Sequence, residues 1–374
     1  MRMVRIQSGE EMQKRKRHLF ACLSTVLVVL CFSGCSSPKF RFGYVATGQG
    51  IFAFRVDAGT GAAAPVFGSP FVAKTNANFA ASPSSVVVHP SNGLVYAAQQ
   101  DINSISRFKI DKTTGSLSEV LPRTPLTTSS GGIGLSPVDM IMDSGGKYLF
   151  VANQTSNDIW VFSIGSSGAL TFVSSAQLDG SPSSLTLSAS GDFLYVPVPT
   201  FSAIYVFSVN AGSLTPVGRP FSVVGGVGRL GIEPDSSFLF VPNPSTNTVT
   251  VLRIQSDGTL ALSSGAFATG ITPVAASTNT TGAYVYVANS GATNLSQFQV
   301  NTSTGELTTL TSSAAGTGTQ PSQIILDPGA KFIFVVNQQA NTVSEFTQNS
   351  DGTLATTGNQ ITLSDLPRSF SITK

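Results

Sequence analysis

From Tyr148 to Phe162 the chain reads YLFVANQTSNDIWVF: an apolar run, a small polar loop flanked by Asn, and a second apolar run. The same alternation returns as FLFVPNPSTNTVTVL (Phe238 to Leu252), YVYVANSGATNLSQF (Tyr284 to Phe298) and FIFVVNQQANTVSEF (Phe332 to Phe346). Runs of about 4–8 residues rich in Val, Ile, Phe and Tyr, punctuated by Gly, Asn, Asp and Ser, predict strands joined by tight turns. The stretch from Pro182 to Val217 shows a whole unit: PSSLTLS, the turn ASGD, FLYVPV, a loop, AIYVFSV, the turn NAGS, then LTPV. Beyond the first 35 residues no window carries a helical apolar period.

The unit recurs. Gly61, Gly115, Gly168, Gly212, Gly258, Gly305 and Gly352 each close its last turn, which makes seven copies. Four strands in about 45 residues, repeated, predict the blades of a β-propeller. The first copy starts at FGYVAT without an innermost strand, and the chain finishes on LPRSFSITK, an innermost strand with nothing after it. The expected fold is therefore all-β: a seven-bladed propeller of four-stranded antiparallel blades, closed when Arg368 to Thr373 joins blade 1. The recurring Asn residues (Asn153, Asn243, Asn289 and Asn337 ending second strands; Asn103, Asn157, Asn247, Asn294 and Asn341 before third strands) read as turn architecture, since Asn bonds its own backbone and tolerates left-handed geometry.

The N-terminus adds a location. Lys14, Arg15, Lys16 and Arg17 precede an apolar run from Leu19 to Phe32 that ends at Ser33-Gly34-Cys35. A basic start, a short apolar core and small residues before a cleavage point describe a secretory signal. FSGC resembles the bacterial lipobox. Cys22 and Cys31 lie inside the signal, so Cys35 is the one cysteine of the mature chain, placed where a lipid would be attached. The expected organisation is a lipoprotein signal over 1–35, a short tether over 36–40 and the propeller over 41–374. The chain is expected in the cell envelope, anchored through Cys35, in the outer membrane if the source is Gram-negative; the alternative is secretion. Removing residues 1–35 leaves 15 basic and 17 acidic residues, a balance that gives no electrostatic reason to expect nucleic acid. A monomer is expected, touching the membrane through its anchor alone.

The phrase YVAN…NTVS with a following Asp-Gly or Thr-Gly turn resembles the seven-bladed lactonase propellers, which include 6-phosphogluconolactonases and carboxy-muconate cyclase, and the YVTN repeats of surface-layer-associated proteins. The resemblance covers nearly all of residues 41–374. It implies a Pro-Arg-His lead into an innermost strand, with Arg and His at the channel mouth. Here the matching lead is Pro367-Arg368-Ser369: the arginine is kept and the histidine is not. His18 belongs to the signal, and His89, in VVHPSNGLVY, falls in a turn at the opposite end. No histidine is therefore placed as general acid or base, the role it most often fills. Metal-ligand spacing is absent too, so neither a metal nor a cofactor is expected.

Aligning the copies puts Ser369, Ser85, Asp139, Ser184, Arg229, Ala275 and Gln323 at one level of the inner strands, blades 1 to 7. Arg368, Asp139, Arg229 and Gln323 are the candidates to converge on a small polar or anionic ligand, the two arginines suiting a carboxylate or phosphate. The plainer alternative is that Asp139 simply neutralises an arginine in a wet channel. Two long connections, Gly68 to Ser82 and Pro122 to Ser136, add Lys74 and Arg123 as secondary candidates. Two functions compete. One is a lactone hydrolase using Arg368, Arg229 and Asp139; the other, favoured by the missing histidine, is a binding propeller that takes a small ligand, a glycan or a protein at the channel mouth.

Overall fold

The computed structural model describes residues 40–73, 81–91, 93–128, 131–310 and 315–374. The expected signal, Cys35 as the expected lipid site, and Lys74 lie outside the described residues.

Residues Phe40–Lys374 form one unit of seven antiparallel sheets. Blade 3 shows the plan: inner strand Pro137–Met142, then Tyr148–Asn153, Asp158–Ile164 and outer strand Leu170–Gln177. Each blade's inner strand runs from an end where loops cluster, the loop end, toward an end of tight turns, the turn end. Ring closure is as expected. Pro367–Ile372 pairs with Phe40–Thr47, with Tyr44 opposite Ser371 and Val45 opposite Phe370. Among the described residues there is no α-helix.

The repeated phrase gains its meaning between blades. Large side chains of the second and third strands, such as Phe150, Val161 and Leu194, are fully buried where neighbouring sheets face each other. The turn glycines lie against the preceding sheet. Gly258 has φ +84°, and a Cβ there would stand 2.2 Å from Phe193 of the preceding blade, so both conformation and space require glycine. Tyrosines fasten the same places: Tyr44 donates to Gly115 O (3.0 Å), Tyr96 to Gly168 O (2.7 Å) and Tyr286 to Gly352 O (2.8 Å). Each such bond contributes about 0.5–1.5 kcal/mol net.

Three details differ from the sequence reading. Asn294 opens the third strand of blade 6 and accepts a bond from Asn289 Nδ2; the left-handed residue there is Thr293 (φ +50°). The long connection expected from Pro122 is partly strand, since the outer strand of blade 2 runs Leu117–Pro125 and its third-strand partners hold it to the end. Arg123 therefore sits on a strand and pairs with Glu119 (2.6 Å) instead of reaching a loop. Finally, the inner strands of blades 4 and 5 shrink to Thr186–Leu187 and Gly231–Ile232.

Candidate functional site

The aligned level near the start of each inner strand is a hydrogen-bonded ring. Gln323 Oε1 of blade 7 accepts from Phe370 N of blade 1 (3.0 Å). Ser369 Oγ accepts from Val86 N of blade 2 (3.3 Å), and Ser85 Oγ from Met140 N of blade 3 (3.2 Å). Asp139 Oδ2 accepts from Leu185 N of blade 4 (2.9 Å). Four successive seams are thus sewn by one position, each side chain satisfying a backbone N–H of the next blade.

The pattern then changes. Blade 5 turns to blade 6 by direct backbone bonds, Arg229 N to Val274 O (2.8 Å) and Ala276 N to Arg229 O (3.1 Å). From there Arg229 crosses blade 4 to reach blade 3, its Nη1 donating to Asp139 Oδ2 at 3.0 Å. The Asp139 side chain is 5% exposed and that of Arg229 27%. One carboxylate oxygen thus accepts both a guanidinium and a backbone N–H.

A cavity of about 560 Å³ begins at this level. Asp139, Arg229, Gln323 and Ser369 line one end, and its wall follows the inner strands to Pro90, Asp143 and Lys374 at the turn end. The structure brings three of the four candidates together. Arg368 is not among the lining residues; its Nη1 donates to Ser82 Oγ at 2.9 Å. Donors dominate the candidate end. Arg229 has one bonded nitrogen among the described residues, Gln323 has its amide carbonyl engaged and its NH2 without a protein partner there, and Ser369 accepts through Oγ. Such an end suits a ligand that brings negative charge and acceptor oxygens.

His89 stands in the turn after Pro83–Val88, its Nε2 3.0 Å from Gly146 O and its Nδ1 2.8 Å from Ser91 Oγ. Two groups were not singled out from the sequence, although Ser184 was placed at the aligned level. Ser184 Oγ, on a residue 1% exposed, has no partner among the described residues. Glu233 is 2% exposed with Oε2 unpartnered, and burial, with Asp235 adding to it, pushes its carboxyl up to about 7. Glu233 occupies the place of His89 in the repeat, so alignment of the turns was the available signal; for Ser184 there was none, because serines at the same level in other blades are bonded.

Comparison with known proteins follows the fold. A family model described as a seven-bladed β-propeller lactonase matches residues 127–228, 225–319 and 309–374. No curated protein sequence matches. A Bacteroides fragilis protein provisionally named a 6-phosphogluconolactonase superposes with a TM-score of 0.75 at 22% identity, over 91% of this chain and 100% of its own. The periplasmic gluconolactonase of Pseudomonas aeruginosa gives 0.73 at 18% identity, over 90% and 99%. A Lactobacillus plantarum protein gives 0.74 at 19% identity, over 90% and 100%. Likeness at these identities speaks for the ring and leaves the chemistry to the site itself.

Proposed function

The chain belongs to the seven-bladed β-propeller lactonase family, and from that premise we propose that it is an envelope binding module whose channel holds a small anionic, hydroxyl-rich ligand without hydrolysing it. One observation carries this reading: the carboxylate at the donor-rich end, Asp139, is committed to Arg229 and to Leu185 N. Lactone opening by water needs a group that takes a proton from that water. Both of those bonds fall on Asp139 Oδ2, which is thereby occupied, and the nearest histidine in the repeat, His89, is bonded in a turn. A ligand carboxylate or phosphate would instead engage the free guanidinium edge of Arg229, with hydroxyls on Gln323 and Ser369. Sugar acids, the ring-opened forms of sugar lactones, have this chemistry. Anchoring through Cys35 completes the reading; a Cys35→Ala chain is expected to leave the membrane fraction.

Calorimetric titration with D-gluconate and 6-phosphogluconate tests it. Binding weakened about tenfold or more by Arg229→Gln supports the reading, and binding indifferent to that change contradicts it. A glycan or protein partner would show as failure of both acids. The second reading is a lactonase, favoured by likeness to the Pseudomonas aeruginosa gluconolactonase. Turnover of sugar lactones abolished by Arg229→Ala or Asp139→Ala would establish it in place of the first.

A further inference from the structure

Beyond its donor-rich end the cavity changes character. Side chains two residues apart on a strand share a face and stand about 7 Å from each other. One such step past Ser85, Asp139, Gln323 and Ser369 come Val87, Ile141, Ile325 and Ser371, and these four all line the cavity that Arg229 lines. No bulge interrupts the strands between the two levels. The bonds His89 N to Leu94 O (2.9 Å), Asp143 N to Tyr148 O (3.2 Å) and Asp327 N to Phe332 O (2.9 Å) fix the phase of pairing in blades 2, 3 and 7. In that phase the N–H and C=O groups of Val87, Ile141 and Ile325 face the second strands, so their half-buried side chains are what meets the cavity. Ser371 is the polar member of the level, and its Oγ already accepts from Val88 N (3.0 Å). Pairing with Asp139 brings the Arg229 guanidinium to the same strand that carries Ile141. The next charged group on that strand is Asp143, an acid; Lys374 also lines the turn end, five residues and about 17 Å of chain past Ser369.

We propose that this apolar belt reads the far end of the ligand, so that the channel takes sugar acids whose last carbon is deoxygenated and uncharged, and rejects those that carry a phosphate there. The proposal rests on the ligand class argued above and goes further, by naming the substituent that the channel selects. A six-carbon acid held on Arg229 by its carboxylate and extended toward the turn end spans about one level of the strands. Its last carbons then lie against Val87, Ile141 and Ile325. A methyl group in that place gains apolar contact, while a hydroxyl gives up water without a side-chain partner waiting for it. A phosphate carries an unpaired charge against three apolar side chains, with the acid Asp143 beyond them. Turning the ligand round gives no escape, because the carboxylate then occupies the belt.

The test is calorimetric titration of the full chain with D-gluconate, 6-deoxy-D-gluconate and 6-phosphogluconate. Relative to gluconate, the wild type is expected to bind the deoxy acid about threefold or more tightly and the phosphorylated acid about tenfold or more weakly. A double variant, Ile141→Thr with Ile325→Thr, keeps branched side chains and adds hydroxyls to the belt, and is expected to draw the three affinities together. The wild-type comparison needs no variant, so a folding defect in the double variant cannot hide the result. Binding of 6-phosphogluconate as tight as that of gluconate, or no gain from the deoxy acid, overturns the proposal and leaves the role of Arg229 standing. So does a preference that the double variant keeps in full. Failure of all three acids to bind overturns it together with the reading beneath it.

Discussion

Asp139, Ser85 and Ser184 occupy one position of the repeat and do three different things. Asp139 receives a guanidinium and an N–H, Ser85 receives an N–H, and Ser184 receives nothing among the described residues. The ring position itself was legible, because the repeats align on their second strands. What each side chain would bond was not, since its partner is a backbone N–H about 45–55 residues away, on the next blade. Arg368 shows the limit most plainly: one position off the ring level, its guanidinium turns to Ser82 and leaves the cavity wall. A difference in stability follows. Ser85→Ala strands the Met140 N–H and is expected to cost about 1–2 kcal/mol. Ser184→Ala strands no protein group and removes a buried hydroxyl that has no partner among the described residues, so stability is expected to hold or to rise by up to about 1–2 kcal/mol. Urea unfolding of the two variants checks this, and equal losses would mean that Ser184 has a structural partner after all.

At the scale of strands and turns, the sequence was most readable where side chains repeat. The turn glycines and the tyrosines of the second strands were visible as a recurring phrase, and their joint work across blades explains the recurrence. The short inner strands of blades 4 and 5 were not visible, because LTL and LGI carry ordinary strand chemistry. The turn after the blade 5 inner strand adds a pH dependence. Glu233 is raised to about 7 by burial and by Asp235, so the folded state holds its proton more tightly than the unfolded chain does. Its contribution to stability is full below pH 4.5 and is lost as pH rises through about 7. Glu233→Gln, which stays neutral, should therefore gain on wild type between pH 5 and pH 8, by about 1–3 kcal/mol. A gap between the two proteins that does not widen with pH would show that Glu233 ionises freely.

The whole molecule depends on one joint. Pro367–Ile372 supplies the inner strand of blade 1, and through it Ser369 and Ser371 accept from Val86 N and Val88 N of blade 2 while Phe370 N reaches Gln323 of blade 7. A chain ending at Leu366 loses all three links and opens a sheet edge. It is expected to melt without a sharp cooperative transition, which calorimetric scanning would reveal; an unchanged melt would mean that the ring holds without its clasp. The closed ring in turn fixes Arg229 against Asp139 at the inner end of the cavity, and the proposed function stands on that arrangement. Isothermal calorimetry with glucono-δ-lactone reads binding and turnover in the same trace. The account predicts that the lactone gives no more than its spontaneous heat, while the gluconate it releases binds with a heat that saturates and that Arg229→Gln removes. A sustained heat above the spontaneous rate, abolished by Asp139→Asn, would contradict it and make the channel a hydrolase.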